Sequence, residues 1–373
     1  MTSGVQIFKD IKKILVIKFR HIGDVLLTVP AIRALKETFP GVSISALVNS
    51  GTEEVLTGNT VVDEVIVFDR ALKSLPAVSR YVKEIKFIRG IRLRRFDMTV
   101  DLTGGDRAAV VSFISGARYR LAWNPGKKGF LSKRFLYTHL ADIDKQKHMV
   151  LQNLDVVKNF GITTEDTDVD FFIPEEVRDS VRRTLEKNGI TKKDKIVHLH
   201  PTSRWLFKCW KDEYMADVIE WLIEQGIRVI MTSAPDGKEM EKAKRILSLC
   251  SSLVTRHSSL LLDLCGKTSI KELAAISEAS DLFIGVDSAP MHIAAAVGTP
   301  VIALFGPTGR EWIPYGQGNI VISKDMPCKP CKKGMCEGIL LRECMAAIKP
   351  DDVKEAVCKI LNLGSSVSSS FRT

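Results

Sequence analysis

The sequence predicts an α/β protein made of two doubly wound parallel sheets, one after the other along the chain. Two observations predict this class. Short apolar runs of strand composition alternate with amphipathic helical patterns, which is typical of parallel sheets covered by helices. The alternation stops once, near the middle of the 373 residues, and then resumes, and this length suits two domains with a core each.

The first series of apolar runs predicts five strands. They read KILVIK, SISALV, EVIVF, MTVDL and YRLAW. The alternation of apolar runs and helical patterns then stops at TEDTDVDFFIPEEVRDS, which is rich in acidic residues and contains a proline. We interpret this stretch as the interdomain linker. On this basis we assign residues 1–172 to an N-terminal domain.

The second series predicts another sheet. Its runs read KIVHLHP, RVIMTS, LDLCG, DLFIGVDS and VIALFGP, and helical patterns such as KDEYMADVIEWLIEQG and SIKELAAISEAS lie between them. We assign residues 173–348 to this C-terminal domain. Residues 349–373 form a last helix, for which packing back on the N-terminal domain is one arrangement, and a serine-rich tail that we expect to be disordered.

The composition is that of a soluble globular protein, with 45% apolar and 26% charged residues. No apolar run reaches the roughly 18 residues that a membrane-spanning helix needs. Lysines interrupt the start of the chain too often for a secretory signal. We therefore expect a cytoplasmic protein.

The net charge of +10 is concentrated in two segments of the first half, RYVKEIKFIRGIRLRRF and NPGKKGFLSKRF. A basic surface suits nucleic acid, an anionic membrane face or a phosphorylated substrate, although such charge can also serve solubility alone.

Four of the eight cysteines, Cys328, Cys331, Cys336 and Cys344, lie close together in the sequence. The first pair has the CxxC spacing of metal sites, but the other spacings match no standard zinc or iron–sulfur template. Two interpretations stay open here, a loop of reduced cysteines and a metal or redox site.

Several nucleotide-binding and hydrolase motifs are missing from the sequence. The first apolar run is not followed by GxGxxG, and neither a P-loop nor a GxSxG elbow occurs. No Asp-x-Asp pair offers an obvious cradle for a catalytic metal. We therefore expect neither a classical dinucleotide oxidoreductase nor a P-loop nucleotidase.

Asp24 follows the first predicted strand and begins a helical pattern, in the stretch FRHIGDVLLTVP. The positive end of a helix dipole favours a carboxylate there, and aspartate is also a good N-cap. Asp24 is therefore either a helix cap or a general base. Gly23 would let the chain turn sharply before it and leave room for a substrate.

The segment GVDSAPMHIAAAVGTPVIALFGPT predicts an anion-binding turn. A strand ends at Asp287, and Ser288 and Ala289 then open a helix whose free backbone N–H groups suit a pyrophosphate. Asp287 would orient the loop or bind a sugar hydroxyl. His292 could donate a proton, contact phosphate or simply pack in the helix.

Two further turns of the second half carry polar groups. In HLHPTSRWLFKCW, Thr202 and Ser203 offer hydroxyls and Lys208 a charge that can neutralise phosphate, while Trp205 and Trp210 would bury the loop. In TSAPDGKEMEKAKRI, Glu239 or Glu241 could bind a ribose, or be a favourable charge in the first turn of a helix.

These residues resemble a known family. KILVIKFRHIGDVLLTVPAIRALKETFP together with GVDSAPMHIAAAVGTPVIALFGPT is similar to the ADP-heptose:lipopolysaccharide heptosyltransferases, glycosyltransferase family nine, over nearly the whole chain. The IKFRHIGDVLLT and PTSRWLFKCW segments are most similar to its heptosyltransferase III branch. The resemblance implies a GT-B architecture, with two Rossmann-like domains facing a cleft.

The resemblance also implies an inverting transfer that needs no metal or other cofactor. Asp24 matches the catalytic aspartate. The residues that match or lie beside donor-binding positions are Thr202, Ser203, Lys208, Glu239, Asp287, Ser288, Ala289 and His292. On the acceptor side of the N-terminal half we expect Arg20, His21, Gly23 and Arg120 to bind.

The implied partners are ADP-heptose and a phosphorylated lipid A–inner core acceptor. They place the enzyme peripherally on the cytoplasmic face of the inner membrane, where the KEIKFIRGIRLRRF segment could lie against the bilayer. Three alternatives remain. They are another nucleotide-sugar transferase of this fold, including the heptosyltransferase I and II branches, a cysteine-cluster metal protein, and a basic polyanion-binding protein. We expect no nucleic-acid partner, because the basic segments contain no such motif.

Overall fold

A computed structural model describes residues 8–74, 76–126, 133–250, 258–329, 331 and 343–363. The chain divides into two units, Met1–Phe172 and Ile173–Thr373. In the part of the chain that is described, no helix is both long enough and apolar enough to cross a membrane.

The first unit contains a parallel sheet of six strands in the order β3-β2-β1-β4-β5-β6. The strands are β1 (Lys13–Lys18), β2 (Ser43–Asn49), β3 (Glu64–Phe68), β4 (Met98–Asp101), β5 (Tyr119–Trp123) and β6 (His139–Ala141). Every residue of β1 after Lys13 is buried, as expected for a central strand covered on both faces.

Five helices accompany this sheet among the described residues. They are α1 (Ile22–Leu26), α2 (Val29–Thr38), α3 (Ala77–Leu93), α4 (Asp106–Ile114) and α5 (Met149–Lys158). The helical pattern that follows β1 is thus broken into two pieces, with Leu27 and Thr28 between them. Pro30 lies in the first turn of α2, where its missing N–H costs nothing.

The second unit repeats this plan, with the sheet order β12-β11-β10-β7-β8-β9. Its strands are β7 (Ile196–His200), β8 (Arg228–Met231), β9 (Leu261–Asp263), β10 (Leu282–Val286), β11 (Val301–Phe305) and β12 (Ile320–Ser323). Its described helices are α6 (Glu175–Lys187), α7 (Asp212–Glu224), α8 (Gly237–Leu249), α9 (Ile270–Glu278), α10 (Ala289–Ala296), α11 (Glu343–Ala346) and α12 (Pro350–Leu361).

The predicted α/β class with two doubly wound parallel sheets is confirmed. The structure adds the short edge strands β6 and β12, for which we predicted no strand. The stretch interpreted as a linker is only partly one, because residues 175–180 form the first turns of α6. The serine-rich tail, residues 364–373, lies outside the described residues.

The last helix, α12, packs within the second unit. It lies against α7, β10, β11 and β12, and Val353 and Val357 are fully buried in their shared core. The ion pair between Lys354 Nζ and Asp217 Oδ1, at 2.8 Å, links it to α7 at the surface. The apolar face of this amphipathic helix therefore packs on the sheet of the second unit.

Strand β7 contains two buried histidines that are part of the core. His198 Nε2 and His200 Nδ1 lie 2.8 Å and 2.9 Å from the hydroxyl of Thr232, and His198 Nδ1 lies 2.8 Å from the hydroxyl of Ser277. Burial holds the pKa of His198 well below its ordinary value and lowers the pKa of His200 to about 3. Both imidazoles are therefore neutral at physiological pH.

We expect the free energy of unfolding to fall as the pH is lowered from about 7.5 to about 5.5. Because both folded-state pKa values are depressed, the unfolded chain binds more protons than the folded chain below about pH 6.5. At about pH 5.5, each histidine then lowers the free energy of unfolding by roughly 1.4 kcal/mol. Urea unfolding followed by tryptophan fluorescence measures this, since four of the five tryptophans belong to the second unit. A His198→Gln variant should lose about half of the pH-dependent change, and an unaltered change would contradict the assignment.

Candidate active site

The second unit holds an ion pair at the carboxyl end of its sheet. Lys208 follows β7 and Asp287 follows β10, and these strands are neighbours. Lys208 Nζ lies 2.7 Å from Asp287 Oδ2, with the lysine side chain 19% exposed and the aspartate 7%. The hydroxyl of Thr308, after β11, donates to the same oxygen. The three loops are thus joined at one carboxylate.

Helix α10 begins beside this ion pair. Ser288 is its N-cap in an extended conformation, but the Ser288 hydroxyl donates to the carbonyl of Val286 at 3.2 Å and does not cap the helix. Ala289 and Pro290 form the first turn without bulky side chains. The first backbone N–H groups of such a helix are well suited to an anion.

Thr202 and Glu239 form a buried pair next to the Lys208 loop. The Thr202 hydroxyl, with no exposed surface, donates to Glu239 Oε2 at 2.7 Å. Burial raises the pKa of Glu239, and the bond from Thr202 opposes that shift. Ser203 is also buried and accepts a hydrogen bond from the Trp205 N–H at 3.3 Å. Glu241, by contrast, is exposed and pairs with Arg245 at 3.0 Å.

Only part of the predicted loop packing is present. Trp210 is buried and donates from Nε1 to the carbonyl of Ile348 at 3.0 Å, but Trp205 is 46% exposed, so the prediction that it buries the loop is wrong. His292 is buried in α10, one turn from its start.

In the first unit, Asp24 follows β1 in a comparable place. It is the third residue of α1, whose N-cap is His21, and its Oδ2 accepts from the His21 N–H at 3.4 Å. Asp24 is therefore not the N-cap itself, and its carboxylate is half-buried. The long bond leaves most of its accepting capacity for other groups.

The other predicted acceptor residues separate into two groups. Arg20 and His21 are exposed beside Asp24, and Arg20 Nη2 donates to the carbonyl of Thr103 at 3.3 Å. Gly23 is buried within α1 and is not among the residues with positive φ, so it does not make the sharp turn that we predicted.

Arg120 is not brought to Asp24. It is the second residue of β5, near the amino end of that strand. Its guanidinium donates to the carbonyls of Leu136 and Ala117, both at 2.8 Å. These bonds give Arg120 a role in holding the chain around β5.

The sequence interpretation missed a buried polar cluster where β1 and β4 end. Lys18 Nζ donates to the carbonyl of Leu102 at 2.8 Å and to Asn153 Oδ1 at 3.1 Å. Burial lowers the pKa of Lys18 to about 8, against the attraction of Asp24 and Asp101. Asp101 is buried, accepts from the Tyr137 hydroxyl, and has a pKa raised by burial. The available signal was a charged residue closing each apolar run, KILVIK and MTVD.

The cysteine segment is described only in part. Cys328 is exposed, Cys331 half-buried and Cys344 buried, while Cys336 lies outside the described residues. Within the described ranges, no group of three or more His, Cys, Asp or Glu side chains is arranged to hold a metal ion.

Comparison with known proteins identifies the family. The sequence profile of Glycosyltransferase family 9 (heptosyltransferase) matches residues 84–338. Lipopolysaccharide heptosyltransferase 3 of Escherichia coli (strain K12) is 33% identical over 305 residues, which are 81% of this chain and 85% of that protein. This similarity confirms the family and the heptosyltransferase III resemblance.

Two solved structures show the same fold over both units. The glycosyl transferase family 9 protein from Veillonella parvula DSM 2008 has a TM-score of 0.77 at 24% identity, covering 95% of this chain and 98% of that one. E. coli heptosyltransferase WaaC with ADP-2-deoxy-2-fluoro heptose has a TM-score of 0.71 at 20% identity, covering 93% and 99%. The predicted GT-B fold is confirmed. This chain therefore belongs to glycosyltransferase family 9, the heptosyltransferase family, and is a glycosyltransferase.

Proposed function

We propose that this enzyme transfers L-glycero-D-manno-heptose from ADP-heptose to a heptose of the lipopolysaccharide inner core, with inversion at the anomeric carbon. The observation that carries the proposal is the Lys208–Asp287 pair beside the start of α10, which offers a cation, a carboxylate and backbone N–H groups together. The name of the E. coli relative supports the acceptor, and the ligand of the WaaC structure supports the donor.

In the proposed reaction the second unit binds the donor. Lys208 has three ammonium hydrogens, and its bond to Asp287 leaves others for a diphosphate oxygen. The backbone N–H groups of Ser288 and Ala289 are uncharged and can also donate hydrogen bonds to the diphosphate. Asp287 can accept from a heptose hydroxyl in addition to Lys208. The Thr202 hydroxyl already donates to Glu239, and the Ser203 hydroxyl already accepts from the Trp205 backbone N–H, so we assign them the support of this loop.

The remaining predicted donor residues keep supporting roles in this proposal. Glu239 would accept from the adenosine ribose while held by Thr202. His292, buried in α10, would fix the helix whose first turn meets the diphosphate. As ADP departs, Lys208 and that first turn stabilise the negative charge that develops on it.

In the first unit, Asp24 is the proposed general base. It accepts the proton of the attacking heptose hydroxyl while the new glycosidic bond forms and the bond to ADP breaks. Arg20 and His21, exposed next to it, would bind the acceptor. We do not extend this role to Arg120, because two carbonyls already hold its guanidinium. Since the acceptor is anchored in lipid, the enzyme would work peripherally on the cytoplasmic face of the inner membrane.

An acceptor series tests the function directly. The enzyme is incubated with ADP-heptose and lipopolysaccharides truncated at successive core steps, and the products are analysed by mass spectrometry. A single added heptose on a core that already carries its main-chain heptoses is the expected result. Transfer only to an earlier core, or only from another nucleotide sugar, would replace this proposal with another branch or donor.

Replacing Asp24 by Asn should lower kcat by roughly 10³-fold, because the amide cannot take a proton. Asn keeps an oxygen that can accept from the His21 N–H, so the cap is preserved. The affinity for ADP, measured by calorimetry, should stay unchanged, since Asp24 belongs to the acceptor side. Near-normal turnover would refute the general-base role.

Replacing Lys208 by Ala should weaken ADP binding by about tenfold to a hundredfold, because a charge-assisted bond is lost and Asp287 then repels the diphosphate. Lys211→Ala is the matched control, since Lys211 is an exposed lysine three residues further along. Calorimetric titration with ADP compares the two variants. Equal affinities would remove Lys208 from the phosphate site.

Removal of divalent metals should leave the rate of transfer unchanged. In the proposed mechanism, Lys208 and the N–H groups of α10 meet the charge of the leaving ADP, which a metal meets in other transferases. The rate is measured with ADP-heptose after treatment with EDTA and again after Mg²⁺ is restored. A loss that Mg²⁺ reverses would contradict the metal-independent mechanism.

A further inference from the structure

Helix α3 is attached to the first unit by one face only. Phe87 packs edge-on against Phe68, with ring centroids 5.1 Å apart, and Ile91 is buried in the same core. On that side of the helix, Glu84 Oε1 lies 3.9 Å from Arg107 Nη2 of α4. The first seven residues of the helix, Ala77 to Lys83, are all exposed.

The opposite face of α3 displays an apolar stripe. Val78, Tyr81, Val82 and Ile85 have the spacing i, i+3, i+4 and i+7, which places them on one side over two turns. Their exposed fractions are 78%, 66%, 58% and 47%. Single exposed apolar residues are ordinary, but four in one stripe indicate a surface that something covers.

Positive charge is concentrated on the same helix, and Lys86 and Arg89 follow one edge of this stripe. The helix contains five basic residues, Arg80, Lys83, Lys86, Arg89 and Arg92, and a single acid, Glu84. Arg92 donates to the carbonyl of Ile114 at 3.2 Å. The other four basic residues form no ion pair with any residue in the described ranges. Their charge is therefore available to an anionic partner.

We propose that α3 docks the enzyme on an anionic bilayer by inserting its apolar stripe, Val78, Tyr81, Val82 and Ile85, at the level of the lipid headgroups. Lys86 and Arg89, which follow one edge of the stripe, then contact lipid phosphates. A short helix with apolar residues on one side and lysine or arginine beside them is the type that lies in a membrane interface. The proposal deepens the peripheral location that is part of the proposed function and rests on it.

Charge complementarity selects this occupant over two others. A second copy of the chain would bring two strongly positive helices face to face, which like-charge repulsion opposes. Nucleic acid would satisfy the basic residues, but a phosphate backbone offers no apolar surface for Val78, Val82 and Ile85. A bilayer interface satisfies both features at once.

Flotation with vesicles tests the proposal on the full-length enzyme without donor or acceptor. The vesicles contain phosphatidylcholine alone or phosphatidylcholine with phosphatidylglycerol. Wild type should float only with the anionic vesicles. Lys86→Gln/Arg89→Gln should weaken binding roughly twentyfold, from two lost charges. Val78→Ser/Val82→Ser should weaken it roughly a hundredfold, from two lost apolar side chains.

Matched controls separate docking from general effects. Lys192→Gln/Lys193→Gln removes two exposed lysines of the second unit, and Leu249→Ser removes a 46% exposed leucine on α8. Both controls should float like wild type, and circular dichroism should show that all four variants are folded. Because α3 is exposed at the mutated positions, their folding does not depend on these side chains.

Three outcomes overturn the proposal. In the first, Val78→Ser/Val82→Ser binds vesicles as tightly as wild type, which would leave only an electrostatic patch. In the second, the control variants lose as much binding as the α3 variants. In the third, the wild-type enzyme does not bind anionic vesicles. The assay contains no lipopolysaccharide, so it can fail while transfer to a soluble core oligosaccharide succeeds. Conversely, failure of transfer leaves the vesicle result unaffected.

Discussion

The reversal of strand order at the centre of each sheet is the constraint on which the candidate site depends. In both units the chain runs outward in one direction, returns to the middle, and then builds the other half, so that β1 lies beside β4 and β7 beside β10. The connections on the two sides of this point leave in opposite directions and open a crevice beyond the strand ends. Asp24 and Lys18 lie at the first crevice, and Lys208 and Asp287 at the second.

Each crevice contains a lysine, and the different surroundings of the two lysines decide what each lysine can do. Lys18 is buried against a carbonyl and an amide oxygen, and its lowered pKa records the cost of keeping that charge away from water. Lys208 is partly exposed and shares a carboxylate with Thr308. The first lysine can only organise its surroundings, whereas the second is placed to bind a ligand as well.

Much of the fold was readable from the sequence because strands buried on both faces are nearly continuous apolar runs. The same rule failed for β6 and β12, which are short strands at the sheet edges and only partly buried. Asp24, Lys208 and Asp287 stood out because each follows such a run. That Lys208 touches Asp287, 79 positions away, depends on which strands are neighbours, and no local pattern contains that information.

The side chains that were misjudged are those whose role depends on distant partners. Arg120 was expected to bind the acceptor, but the carbonyls of Ala117 and Leu136 accept hydrogen bonds from its guanidinium. Trp205 was expected to be buried, but it lies partly exposed on its loop. Lys18 was overlooked because a lysine at the end of a strand is usually solvated. Its partner Asn153 is 135 positions away.

The buried polar contacts of the second unit have a direction. An ionised Glu239 can only accept, so the Thr202 proton points towards it, and the weak 3.5 Å contact between Thr202 and His200 must be donated by Nε2. His200 Nδ1 then accepts from Thr232, whose oxygen accepts in turn from His198 Nε2. The single negative charge of Glu239 thus selects the tautomer of both imidazoles, and the orientation of every hydroxyl along this series of contacts back to Ser277.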